Sequence, residues 1–176
     1  MKNFKLKKGD VISIVGAGGK TTLLNYLSSK YSQNNSVLMT TTTKIFIPIN
    51  YDYLYHNINF LDIVSLPLKN NLYVIASKFK NKLSSLPLKD LKSLIKHFDY
   101  TFIEADGSNM KPLKGWNEDE PVICDDTTIT IGVIDITHIG KLINEKFIHR
   151  IELFCKLVDK KTGDIITIDD YIKIIL

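Results

Sequence analysis

The chain has 176 residues, a formal net charge of +4 and 44% hydrophobic residues, with a pI near 8.9 and a mean hydropathy of +0.01. That length fits one domain with a proper core, and the ordinary composition excludes a low-complexity or disordered chain. The mild basic excess suits a polyphosphate ligand. No stripe of lysine and arginine interleaved with aromatics accompanies it, so nucleic acid is not an expected partner.

Two cysteines, Cys124 and Cys155, stand far apart in sequence. They read as reduced thiols of a cytoplasmic protein rather than a disulfide framework, and neither has a second ligand at metal spacing. No apolar run is long enough for a signal peptide or a membrane span, so no membrane association is expected.

The first strong signal is Val11 to Val15, a continuous apolar run of the kind found in a strand covered on both faces. It leads into Gly16-Ala17-Gly18-Gly19-Lys20-Thr21-Thr22. Strand, glycine turn and helix start arrive in the order of a phosphate cradle. Glycines let successive backbone N–H groups point at one spot, and a helix N-terminus adds partial positive charge there. Lys20 supplies a full charge, and the Thr21 hydroxyl can hold Mg²⁺. The spacing is shorter than the usual G-x-x-x-x-G-K-[ST], because Ile14 occupies the position of the first glycine. A similar short spacing occurs in the Mur ligases, which bind ATP phosphates.

A helix is expected from Lys20 to about Tyr31, with Leu23, Leu24, Leu27 and Tyr31 on its buried face. Ser36 to Met39 reads as a second strand, parallel to the first and paired with it across a right-handed crossover. It runs into Thr40-Thr41-Thr42-Thr43-Lys44, which leaves the sheet on the same edge as the glycine loop. Thr42 and Lys44 are therefore expected to sense or stabilise a terminal phosphate. The stretch from Ile45 to Pro67 has no clean period; Tyr51, Tyr53, Tyr55 and His56 could line a pocket or cover a core edge.

Leu72 to Ala76 is a third strand, Ser77 to Leu86 a hairpin with Lys82-Leu83 on its return, and Leu88 to Phe98 a helix begun near Pro87. Tyr100 to Gly107 is an apolar strand ending in Glu104 and Asp106. Acidic residues at such a strand end hold Mg²⁺ in phosphate-loop enzymes, and two positions apart on an extended strand they share a face. The sequence does not choose between them. The loop that follows carries Lys111 and Lys114 as anion contacts, and also Trp116. Thr128 to Ile134 is another strand. Phe147, Ile148, Ile151, Phe154, Cys155 and Val158 lie at helical spacing, with His149 and Arg150 on the opposite face, and a last helix starts at Asp169.

These elements predict a three-layer α/β fold with a mostly parallel central sheet, like that of P-loop NTPases, in one domain over residues 1–176. The site set is Gly16, Ala17, Gly18, Gly19, Lys20, Thr21, Thr22 and Thr42 for nucleotide. Thr21, Glu104 and Asp106 are the candidates for Mg²⁺, and Lys20, Lys44, Glu104 and Asp106 for catalysis by positioning and charge neutralisation.

In order along the chain, Gly16 to Thr22, Thr40 to Ile45 with Pro48, Glu104-Ala105-Asp106-Gly107-Ser108, Lys111-Pro112-Leu113-Lys114, Glu120-Pro121-Val122-Ile123, Ile131-Gly132-Val133, Gly140-Lys141-Leu142 and His149-Arg150 resemble one family. It is the selenium-dependent hydroxylase accessory proteins, known as YqeC. The run from Glu104 to Ile123 is the most specific part. The resemblance implies Mg²⁺-dependent binding and hydrolysis of ATP or GTP as an accessory step in maturing selenium-dependent molybdenum hydroxylases. It implies a molybdenum hydroxylase, or the machinery that makes its cofactor, as partner. Family members carry an arginine where Lys111 stands. The resemblance also implies a longer chain, whose C-terminal part tends to carry an Asn-Lys-x-Asp-like segment not found within residues 1–176. A nucleotide-dependent kinase or ligase acting on a small acceptor, and a nucleotide-gated chaperone or cofactor carrier, are the rival readings.

Overall fold

The computed structural model describes residues 5–56 and 68–175. Its centre is a six-stranded sheet in which every pairing is parallel. The strands are β1 (Asp10–Ala17), β2 (Val37–Thr41), β4 (Tyr53–Tyr55), β5 (Leu72–Ile75), β8 (Tyr100–Glu104) and β10 (Ile129–Ile134), in the spatial order β10-β1-β8-β2-β5-β4. The continuous apolar runs have the burial expected of strands covered on both faces: all five residues of β2 and of β8 are buried.

Alternation along the strands sends side chains to two cores. On one face, Ile12, Ile14, Met39, Val74 and Phe102 pack under helix α1 (Lys20–Ser32), which contributes Leu24 and the flanking Leu23, Leu27 and Tyr31. Tyr31 lies 4.7 Å from the ring of Tyr100 and 5.9 Å from that of Phe102. On the other face, Val11, Leu38, Tyr73, Ile75 and Ile103 meet Leu91, Leu94 and Ile95 of α2 (Leu88–Ile95). The result is the expected three-layer α/β arrangement.

The first crossover differs from expectation in one respect. β1 and β2 are parallel but not neighbours, because β8 lies between them and pairs with both. The crossover through α1 skips one position, and the apolar run Tyr100–Ile103, buried on both faces, fills the central slot. The carboxyl ends of β1, β8 and β2 therefore lie side by side, with Glu104 level with Ile14 and Thr41.

Two small sheets flank this core. β3 (Lys44–Phe46), β7 (Lys82–Ser84) and β6 (Ser77–Phe79) form an antiparallel sheet in the order β3-β7-β6. The hairpin is the one expected over Ser77 to Leu86. β9 (Leu113–Lys114) pairs with β11 (Ile148–His149). The helix expected from Phe147 instead begins as α3 at Ile151 (Ile151–Val158), because Arg150 is left-handed at φ 53° and Ile148-His149 is drawn into strand pairing. With α4 (Ile168–Ile175), α3 closes a third core around Ile143, Phe154 and Ile166. Thr167 donates its backbone N–H to Asp170 at the start of α4.

The tyrosines of the unpatterned stretch cover a sheet edge rather than line a pocket. Tyr53 stacks on Tyr73 at 5.0 Å and on Tyr55 at 6.2 Å. Residues 57–67 of that stretch lie outside the described residues.

Gly16, next to last in β1, lies opposite Val133 of β10 with φ 103°. A Cβ there would lie 2.2 Å from the Val133 carbonyl oxygen, which is backbone and cannot swing away. Gly16→Ala is expected to destabilise the fold by about 3 kcal/mol or more, lowering Tm by roughly 6–12 °C in a calorimetric melt.

Candidate functional site

The loops that follow β1, β2 and β8 enclose a cleft of about 180 Å³ at the carboxyl ends of the strands, where open parallel sheets bind their ligands. Its floor is the turn Gly18-Gly19 and the first residues of α1, Lys20 to Thr22. Gly18 has φ 75°, Gly19 has φ 105°, and a Cβ on Gly18 would lie 2.4 Å from Cβ of Asp135. Glycine is needed here for its backbone conformation and, at Gly18, for lack of space.

The helix that opens onto the cleft has no side-chain cap and no acidic residue in its first turn. Its leading N–H groups and partial positive charge face the floor without a carboxylate of its own to answer them. Four lysines, Lys20, Lys44, Lys82 and Lys111, line the cleft against one carboxylate, Glu104. That balance fits an anion of several charges.

Lys20 is 3% exposed and folds back over the glycine turn. It donates to the carbonyl of Gly16 at 2.6 Å and lies 3.3 Å from Oδ1 of Asp106. Thr21 donates its hydroxyl to Oε2 of Glu104 at 3.1 Å. The two carboxylates are thereby distinguished. Glu104 closes β8 and faces the cleft, whereas Asp106 is fully buried beneath the glycine turn. They do not share one extended strand face as the spacing suggested, because β8 ends at Glu104 and the chain turns under the loop.

Asp106 is the hub of this region. Both its oxygens accept the Gly16 N–H at 3.1 Å, Trp116 Nε1 donates to it at 2.9 Å, and Lys114 Nζ lies at 3.4 Å. Lys114, fully buried, also binds Glu120 at 2.7 Å and the Gly107 carbonyl at 2.8 Å. Glu120 in turn takes both arms of Arg150, at 2.5 and 2.9 Å. Lys20, Asp106, Lys114, Glu120 and Arg150 thus form a chain of alternating charge from the glycine loop to the start of α3.

Several expected contacts fall elsewhere. Lys114 belongs to this chain and not to the cleft. The Gly16 N–H is held by Asp106, and neither Gly16 nor Ala17 lines the cleft. Thr42 lies outside it too, its hydroxyl donated to the Val122 carbonyl at 2.6 Å. Thr41 donates to the Glu104 carbonyl at 2.9 Å, so the threonine run braces β8. Lys44 does reach the cleft, with its ammonium 4.1 Å from the centre of the Phe79 ring. Lys111 lines it as well and is anchored by the carbonyls of Glu145 and Ile148. Phe46, Lys82 and Met110 also line the cleft and carried no motif. Arg150, the only arginine in the chain, would have been a signal for a buried bidentate carboxylate partner.

The YqeC protein family model matches residues 12–152, a span from β1 into α3 that holds every residue of the cleft and of the charge chain. The chain belongs to the YqeC family. The uncharacterized protein YqeC of Escherichia coli (strain K12) is 28% identical over 178 residues, covering 96% of this chain and 68% of that protein. No solved structure matches the chain. Among the described residues, no helix is long and apolar enough to cross a membrane.

The chemistry of the donor set fits one small hard cation. Among the described residues, no three His, Cys, Asp or Glu side chains converge on a metal position. Glu104 and the Thr21 hydroxyl supply two oxygens, which suits Mg²⁺, an ion that takes one or two protein ligands and completes its shell with phosphate and water. Burial pushes the Glu104 carboxyl up, against the pull of Lys20 and the Thr21 hydroxyl, and Asp106 adds to the rise. Cys124 and Cys155 are free, and burial raises both thiols, which favours the uncharged form.

Glu120 is shifted the other way. Burial alone would raise it, but hydrogen bonds from Arg150 and Lys114 and their charges hold it at about 2, below the ordinary 4.5. A depressed carboxyl contributes stability that is complete above the unfolded value and lost as pH falls through the folded one. A raised carboxyl does the reverse, and its contribution is lost as pH rises. Glu120→Gln is expected to lower stability at pH 7 by about 2 kcal/mol, discounted for its partial exposure, and to remove that carboxyl's share of the acid limb between pH 4.5 and about 2. Glu104→Gln is expected to raise the stability of the ligand-free protein at pH 7. Urea unfolding across a pH series reads both.

Proposed function

We propose that this chain binds the polyphosphate of ATP or GTP in the cleft together with Mg²⁺ and hydrolyses it. The observation that carries the reading is the pairing of an uncapped helix N-terminus, entered through a left-handed glycine turn, with Lys20 and with Thr21 hydrogen-bonded to Glu104. Backbone N–H groups of the turn and of α1 would cradle the phosphates. Lys20 would leave the Gly16 carbonyl and Asp106 for phosphate oxygens, keeping its charge answered throughout. Thr21 and Glu104 would hold Mg²⁺, which neutralises charge developing on the phosphates. Lys44 and Lys111 would stabilise the terminal phosphate from the β2 and β8 sides of the cleft, and Asp106 would hold the loop in shape. Membership of the YqeC family supports a place for this step in maturing selenium-dependent molybdenum hydroxylases, with such an enzyme or its cofactor-synthesis machinery as partner.

Trp116 is the only tryptophan and donates to the carboxylate that Lys20 contacts. Departure of Lys20 changes the charge beside its indole, so intrinsic fluorescence is expected to shift on addition of ATP or GTP with Mg²⁺. Lys20→Ala is expected to abolish that shift and nucleotide binding by calorimetry; unchanged affinity in this variant sinks the reading. Because Mg²⁺ competes with a proton for the raised Glu104 carboxyl, Mg²⁺-dependent affinity is expected to strengthen as pH rises above the ordinary carboxyl value of 4.5, and Glu104→Gln to lose that dependence. Phosphate release under saturating nucleotide separates hydrolysis from binding alone.

A further inference from the structure

The small antiparallel sheet β3-β7-β6 has two unlike faces. Ile45 and Leu83, paired across β3 and β7, point into the main core. The outer face carries Phe46, Lys82 and Phe79 in one cross-strand row, with Lys44 and Ser84 in the next. Phe46 is 50% exposed and Phe79 41% exposed. Lys82 lies 4.4 Å from the centre of the Phe46 ring, as Lys44 does at 4.1 Å from that of Phe79. Among the described residues neither lysine has a carboxylate partner within salt-bridge reach. Lys44, Phe46 and Lys82 line the same cleft as the glycine loop, and Met110, 84% exposed, lines it from the β8 side.

Folding does not require two half-exposed aromatic rings beside two lysines that have no carboxylate partner among the described residues, nor an exposed methionine lining the same cleft as Phe46. Together they offer flat apolar surface and positive charge a few ångströms apart, which is the chemistry that holds a planar anion. The sheet order places this surface relative to the phosphates. Under the reading proposed above, on which this inference rests, Thr21 and Glu104 would hold the metal and the glycine loop the phosphates. The far end of the polyphosphate would then face Glu104 on β8, and β2, which leads into Lys44 and Phe46, lies beyond β8 from the glycine loop.

We propose that the Phe46–Lys82–Phe79 face is the subsite for a second ligand, a planar aromatic or heteroaromatic anion, held next to the terminal phosphate. The nucleotide base lies at the other end of the triphosphate and does not use this face. Such a subsite makes the protein a two-ligand device rather than a simple hydrolase.

Two probes carry the required chemistry: flavin mononucleotide, followed by fluorescence anisotropy, and 1-naphthyl phosphate, followed by calorimetry. Each is expected to bind the full chain at one site. Phe46→Ala and Lys82→Ala, surface changes that leave the circular dichroism spectrum intact, are expected to weaken each probe by roughly tenfold. Lys20→Ala is expected to leave probe affinity unchanged, which separates this face from the phosphate loop. Saturating tripolyphosphate or ATP with Mg²⁺ is expected not to displace the probes. The proposal is overturned if neither probe binds, or if Phe46→Ala and Lys82→Ala bind them as the wild type does. It is also overturned if ATP displaces them while tripolyphosphate does not, which assigns the face to the nucleotide base. Probe binding at Phe46 without any binding of ATP, GTP or tripolyphosphate refutes the nucleotide reading and leaves the subsite standing.

Discussion

The structure turns on a carboxylate that water does not reach. Asp106 is fully buried, and a buried ionised carboxylate is stable only when its oxygens are answered by charge and by hydrogen bonds. Here the answers come from four directions: the Gly16 N–H, Lys20, Lys114 and Trp116. They belong to three segments, so the carboxylate holds the glycine turn, the first turn of α1 and the Lys114–Trp116 stretch after β8 in one arrangement. Removing any one partner leaves charge uncompensated in a place of low dielectric, which makes the cluster a constraint on shape more than a source of stability.

That constraint reaches beyond the cleft. Lys114 is shared with Glu120, and Glu120 with Arg150, whose left-handed backbone ends the β9–β11 pairing and starts α3. The third core, around Phe154 and Ile166, is in this way tied electrostatically to the glycine loop as well as packed beside it. A ligand that draws Lys20 away from Asp106 alters the first link of this chain, and the remaining links run to α3.

The cleft itself has a division of labour set by strand order. Because β8 separates β1 from β2, Glu104 stands between the glycine loop and the Lys44–Phe46 strand. One side offers an uncapped helix end and backbone N–H groups, suited to phosphate. The other offers the exposed ring of Phe46 beside Lys44 and Lys82, the chemistry of a surface for a flat anion. Lys111 approaches from the loop after β8, pinned by two carbonyls, so its charge is held at the rim rather than left to wander.

Much of this was legible before any coordinates. The glycine run, the apolar strands, the helix after Lys20, the hairpin at Lys82 and the α/β class follow from local rules: glycine's access to left-handed backbone, two-faced burial, and side chains recurring at helical spacing. Glu104 and Asp106 were also visible as a pair at a strand end. Their separate positions were not, because periodicity describes a strand only as far as the strand continues, and β8 stops between them. The same reason hid the start of α3: the apolar spacing from Phe147 is helical, yet long-range pairing with Leu113-Lys114 claims Ile148-His149. The neighbours of β1 and the hydroxyl partner of Thr42 likewise depend on residues 80 to 117 positions away, and the burial of Lys114 on the choice among competing charges that only packing makes. Local sequence determined which elements form and where the glycine turn sits. Tertiary structure decided which carboxylate faces that turn and which lies beneath it, because solvent exposure and charge pairing are set by the whole chain at once.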